Sequence, residues 1–235
     1  MSQLSKTRHG QVYESLRGDI LSGRITPGTK LPFAALSERY GFSVGVIREA
    51  LSRLVEQRLV ENLPQQGFRV TSISKGDLIA LTQARSEIES LTLKHSILEG
   101  DTTWQSEVLA AHFRMANTPS MDAHDPDRLN EEWVEVHNAF HATLLEGCSN
   151  KRLTDICGQL RDSAELYRQW SARIGEAKKR DAAAEHQAIT DAVLAGDVAL
   201  ATQLLRDHIN MTTTLLLESG FVAEESETQP LGVDS

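Results

Sequence analysis

Residues 36–70 read LSERYGFSVGVIREALSRLVEQRLVENLPQQGFRV, and they decide the fold. A short helix over 33–40 meets Gly41, which supplies a turn, and Ser43 is placed to cap a second helix running through Leu54 to Arg58. Val60 to Asn62 and Gly67 to Thr71 then alternate as two short strands around Pro64-Gln65-Gln66-Gly67. Two helices joined by a turn and followed by a β-hairpin wing make a unit shaped to enter a DNA groove. Upstream, residues 9–22 bring Val12, Leu16, Ile20 and Leu21 onto one helical face, and TPGTKLP at 26–32 breaks that helix.

Beyond Lys75 the strand signals vanish and helical periodicity takes over, with helices expected near 77–99, 104–116, 128–147, 150–172, 177–195 and 197–217. Asn150, Gly147 and the Gly196-Asp197 pair mark boundaries between them. The expected fold class is therefore mostly α: an N-terminal winged helix-turn-helix over 1–74, then an all-α bundle of six to seven helices over 75–220. Residues 221–235 are acidic and poor in large apolar side chains, which predicts disorder.

Charge divides at the same place. The chain of 235 residues carries −9 overall, but residues 1–75 hold eleven Lys and Arg against six Asp and Glu, or +5. Residues 76–235 hold thirteen against twenty-seven, or −14. A basic piece on an acidic body is expected when only the first piece meets phosphate. No apolar run reaches the ~18 residues of a membrane span, and MSQLSKTRHG has no apolar stretch to act as a secretory signal, so a cytoplasmic protein is expected. Cys148 and Cys157 lack the spacing of a zinc ribbon and read as free thiols.

Ser43 and Arg48 fall on the first turns of the recognition helix, where a hydroxyl reaches phosphate and a guanidinium forks onto guanine O6 and N7. An alternative for Arg48 is a surface pairing with its Ser52 or Glu49 neighbours. Gln66, Gly67 and Arg69 of the wing are placed for the adjacent minor groove, where arginine meets negative potential. In the acidic body, His137 and His141 stand four apart on one helix, so both imidazoles project from one face and can chelate one ion. Each histidine taken alone reads more safely as a satisfied core or surface residue than as a ligand.

LRGDILSGRITPGTKL, SVGVIREALSRL and the QGFRV wing resemble the DNA-binding domain of the GntR family of bacterial repressors. The second half resembles the family's FadR-type effector domain, called FCD, so the resemblance covers about residues 10–217. EWVEVHNAFH, GCSN and ELYRQW look most like the carbon-starvation-induced, CsiR-type regulators. The family pattern has an arginine after the Ser43 position and another at the start of the preceding helix. Here these are Val44 and Ala34, so base readout leans on Val44 contacting thymine methyls, on the wing or on DNA shape.

The resemblance also implies a metal in the bundle, held by an acidic or amide residue, a histidine one turn later in an FH pair, and two later histidines. Phe140-His141 matches the FH pair, His186 and His208 match the later ligands, and His137 stands where Asp or Asn is usual. Four neutral imidazoles leave more charge on the ion and favour zinc or nickel over manganese or magnesium. Arg85 matches the family's cavity arginine, which would pair with one acidic group of a small dicarboxylate or hydroxy acid of the glutarate type while the metal takes another. The alternative for Arg85 is an i,i+4 pair with Glu89. Tyr167, Arg168 and Trp170 line the same cavity or belong to the core.

The expected protein is a homodimeric, ligand-released DNA-binding repressor on a palindromic operator, with no enzymatic activity. Two other classes stay open: a regulator sensing the metal itself, and a metal hydrolase, which no neighbouring nucleophile or base motif supports.

Overall fold

A computed structural model describes residues 8–72, 74–124, 129–171 and 180–219. The acidic tail 221–235 and the Trp170 side chain lie outside the described residues. The elements are α1 (Arg8–Leu21), α2 (Phe33–Tyr40), α3 (Val44–Glu56), β1 (Val60–Leu63), β2 (Gly67–Val70), α4 (Lys75–Glu99), α5 (Thr102–Ala116), α6 (Glu131–Glu146), α7 (Lys151–Ser171), α8 (Ala182–Leu194) and α9 (Val198–Glu218).

The first core forms where the apolar face of α1 meets α2, α3 and the wing. Val12, Leu16, Ile20 and Leu21 are buried as their spacing requires, against Ile47, Leu51 and Leu54 of α3 and Phe68 and Val70 of β2. Full burial of each large aliphatic side chain stabilises the fold by roughly 1.5–3 kcal/mol, so this small domain holds without disulfides; both cysteines are free and buried. Gly41 adopts φ 73°, the left-handed region in which a side chain is strained, and so turns the chain between α2 and α3. α3 stops at Glu56, two residues before the expected end, because Arg58 itself takes a left-handed φ of 59°. β1 and β2 pair antiparallel with Glu61 opposite Arg69, a cross-strand pair of opposite charge.

Five of the bundle helices begin at side-chain caps: Ser74, Asp101, Asn130, Asp181 and Asp197 each accept a backbone N–H of the first turn. These caps move α6 to start at Glu131 rather than 128, and α8 at Ala182 rather than 177. Asn150 accepts from Arg152 N at the head of α7. The bundle core gathers Leu93, Trp104, Val108, Phe140, Leu144, Ile189, Val193 and Leu205. Gly147 is required at the end of α6: a Cβ there would stand 2.7 Å from the Ser96 carbonyl and 3.0 Å from the Trp104 ring.

α7 joins the two halves. Asp162 pairs with Arg17 of α1 at 2.5 Å, and Tyr167 donates its hydroxyl to Asp77 in the first turn of α4 at 2.6 Å. A second cross-connection pairs Arg24 with Glu131. Among the described residues no helix is long and apolar enough to cross a membrane.

Candidate functional site

α3 buries Ile47, Ala50, Leu51 and Leu54 and leaves Val44 and Arg48, one turn apart, on its outer face. Val44 is 45% exposed, an apolar group that the core does not use. Among the described residues no salt bridge or Ser52 hydrogen bond is seen for Arg48; its guanidinium rests 4.7 Å from the Phe33 ring centroid, which orients it. Ser43 occupies the cap position of α3 but makes no side-chain capping bond, so its exposed hydroxyl stays available. At the wing, Gln66 is exposed, Gly67 takes φ 81°, and Arg69 reaches Gln66 Oε1 at 3.4 Å.

The four histidines converge from three helices. α6 supplies His137 and His141, α8 supplies His186 and α9 supplies His208, with one ring nitrogen of each within 4.8 Å of the others. All four are buried, from 2% exposed at His186 to 9% at His208. His137 Nδ1, both nitrogens of His141 and His186 Nε2 are buried with no hydrogen-bond partner among the described residues. Buried polar atoms are normally paired, and each unpaired one costs about 1–3 kcal/mol, so this set lacks something that bonds to nitrogen. A divalent ion bonded at ~2.0–2.1 Å would satisfy them after a small contraction.

His208 is oriented differently: its Nδ1 lies 2.8 Å from Glu185 Oε2, and Glu185 is held in turn by Arg180. A carboxylate on the far nitrogen turns the other nitrogen inward and raises its basicity. Burial, reinforced by Arg168 and the neighbouring imidazoles, pushes His137 well below the usual imidazole range, and burial with His208 and His186 does the same to His141. Burial and the neighbouring His208 push His186 down to about 2, and burial lowers His208 against the opposing pull of Glu185. All four are therefore neutral near pH 7, with lone pairs free to ligate.

A cavity of about 50 Å³ opens beside His137, His141 and His208, lined also by Arg85, Asn138, Arg161, Glu165, Tyr167 and Arg168. Arg85 and Arg168 both reach it, but each is paired: Arg85 Nε donates to Glu89 at 2.7 Å, and Arg168 is bonded to Glu165. The i,i+4 partner weighed for Arg85 is thus in place, with Glu89 only 1% exposed. Tyr167 both lines the cavity and packs with Leu78, Leu81 and Leu216. Sequence reasoning missed Glu185, Arg161 and Glu165. Glu185 precedes His186, but its bond is to His208, 23 positions away. Arg161 and Glu165 had no motif to mark them.

Comparison with known proteins gives matches across both halves. Residues 8–70 match the model described as bacterial regulatory proteins, gntR family, and residues 80–211 match the FCD domain. The HTH-type transcriptional repressor GlaR of Escherichia coli (strain K12) is 36% identical over 200 residues, 84% of this chain and 90% of that protein. The regulator BphR of Paraburkholderia xenovorans (strain LB400) is 33% identical over 210 residues, 89% of this chain and 85% of that protein. Among solved structures, E. coli McbR/YncC superposes with a TM-score of 0.72 at 20% identity, over 93% of this chain and 99% of that one, a likeness of fold alone.

Proposed function

Because the chain belongs to the GntR family of bacterial transcriptional regulators and carries the FCD domain, we propose that it is a metal-containing repressor released from its operator by a small carboxylic acid. The observation that carries this reading is the set of four buried imidazoles, three of them with unpaired nitrogens, opening onto a cavity lined by arginines. His137, His141, His186 and His208 would hold the ion, and an all-nitrogen set favours zinc or nickel. The metal would supply a positive centre for a carboxylate, while the cavity arginines favour a second acidic group. A dicarboxylate or hydroxy acid of the glutarate type fits that demand.

DNA binding is assigned to residues 1–74, through Ser43, Val44 and Arg48 on α3 and Gln66, Gly67 and Arg69 on the wing. The bundle over 75–220 binds the effector and dimerises, so that two recognition helices straddle a palindrome. Binding reaches the DNA-reading half through α7, which carries Arg161, Glu165 and Arg168 toward the cavity and Asp162 toward Arg17 of α1. A coupling of ~1–3 kcal/mol would suffice to release DNA.

A second reading, direct metal sensing, is favoured by one feature: the protein offers four imidazoles, as many donors as a closed structural zinc site would use. The test selects the DNA fragments that the full chain binds and measures their release by small dicarboxylates, hydroxy acids and chelator. Release by an acid only when metal is present supports the repressor reading; release by chelator alone, with no acid effective, supports metal sensing. In the same assay Arg48→Ala should weaken DNA binding about 10- to 100-fold with metal content unchanged, and unaltered affinity would remove α3 from the interface.

A further inference from the structure

Three guanidiniums line the cavity beside the histidines, and they differ in what already holds them. Arg85 is bound to Glu89, which is 1% exposed, and Arg168 to Glu165, which is 2% exposed. An effector that pulled either arginine away would strand a buried carboxylate, an outcome that low-dielectric surroundings oppose strongly. Arg161 has no carboxylate partner among the described residues. Its one hydrogen bond runs from Nη1 to the carbonyl oxygen of His141 at 3.0 Å, which uses one of five N–H donors and neutralises no charge.

We infer that Arg161, rather than Arg85, receives the second acidic group of a dianionic effector whose first carboxylate ligates the ion at the histidines. This rests on the carboxylate-released reading given above. Charge supports it: the Arg85–Glu89, Arg168–Glu165 and Arg180–Glu185 pairs cancel, so among the described residues the cavity is left with the positive charge of Arg161 beside that of a divalent ion. A monocarboxylate would leave the guanidinium uncompensated. Geometry supports it as well, because the bond to the His141 carbonyl ties Arg161 to the same helix that presents two imidazoles, so a ligand bridging ion and guanidinium spans a fixed distance. The next residue, Asp162, holds Arg17 of α1, so a ligand drawing on Arg161 acts one residue from the contact with the DNA-reading half.

The test uses the full chain loaded with zinc, with metal content verified, and titrates glutarate and butyrate calorimetrically. Wild type should prefer glutarate by about 10- to 100-fold. Arg161→Gln, which keeps a donor for the His141 carbonyl, should bind glutarate no better than butyrate. Arg161→Lys, which keeps the charge and loses the fork, covers the case in which the Gln variant fails to hold zinc; its preference should fall about tenfold. Undiminished preference in these variants, with loss of preference in Arg85→Gln, overturns the inference while leaving the carboxylate reading standing. A zinc-loaded wild type that binds neither acid refutes that reading and the inference together.

Discussion

Replacing His141 by leucine should have opposite effects on stability in the two metal states of the protein. His141 is 4% exposed, and both its ring nitrogens are buried without a partner. Without metal, each is a desolvated polar group costing about 1–3 kcal/mol, while an apolar side chain of similar size meets no such penalty. Imperfect repacking returns about 1–2 kcal/mol, so His141→Leu should stabilise the metal-free protein by about 1–3 kcal/mol. With zinc present at about a thousand times its dissociation constant, wild type gains ~4 kcal/mol from the bound ion, and the variant forfeits most of it. At roughly 2–4 °C per kcal/mol for a chain of this size, the variant should melt several degrees above wild type in chelator and, with a net deficit of about 1–3 kcal/mol, about 2–12 °C below it in zinc. Differential scanning calorimetry of both proteins in both conditions reads the crossing directly. His208→Leu is the control: His208 is bonded to Glu185 at 2.8 Å, so its loss should destabilise both states. If His141→Leu shifted the melting temperature equally with and without zinc, the unpaired nitrogens would not be metal ligands, and the reasoning would fail.

Gly147→Ala should destabilise the bundle by about 2–3 kcal/mol, because the new Cβ would meet the Ser96 backbone carbonyl at 2.7 Å, an atom that cannot swing aside; chemical denaturation measures this, and a change below half that size would mean that α4 and α6 separate easily. The three tyrosines should titrate late. Burial raises all of them, and Tyr40 and Tyr167 additionally donate to the carboxylates of Asp19 and Asp77. Since the unfolded chain loses these protons near pH 10 and the folded chain only above it, stability declines as pH rises past about 10. Tyrosinate absorbance should therefore appear together with unfolding, and an ordinary titration of the folded protein near pH 10 would contradict the buried Tyr167–Asp77 bond.

The residues differ in how much of their role could be read from the chain. Val12, Leu16 and Ile20 repeat at helical spacing, and Gly41 separates two such runs, so the helix-turn-helix was legible from local pattern alone. The pair His137 and His141 was legible for the same reason, since i,i+4 positions share a helix face. His186 and His208 carry no periodic signal that would join them to α6, and only resemblance placed them in the set. Arg85 had two readings at the level of sequence, and the structure occupies it with Glu89. Arg48 also had two, and a cation over the Phe33 ring was neither of them, because α2 and α3 meet through a turn whose angle no spacing specifies.

What the sequence determined by itself is therefore the inventory: a basic winged helix-turn-helix, an acidic helical bundle and the His137–His141 pair follow from periodicity, turn chemistry and charge within a few residues, while resemblance alone joined His186 and His208 to that pair. Only the tertiary structure decided which of three cavity arginines already has a carboxylate, which imidazole nitrogens lack a partner, and that Glu185 orients His208 from 23 positions away. The physical reason is that burial and pairing depend on distances across packed helices, and the same side chain is neutralised or left charged according to what another helix brings within about 3 Å of it.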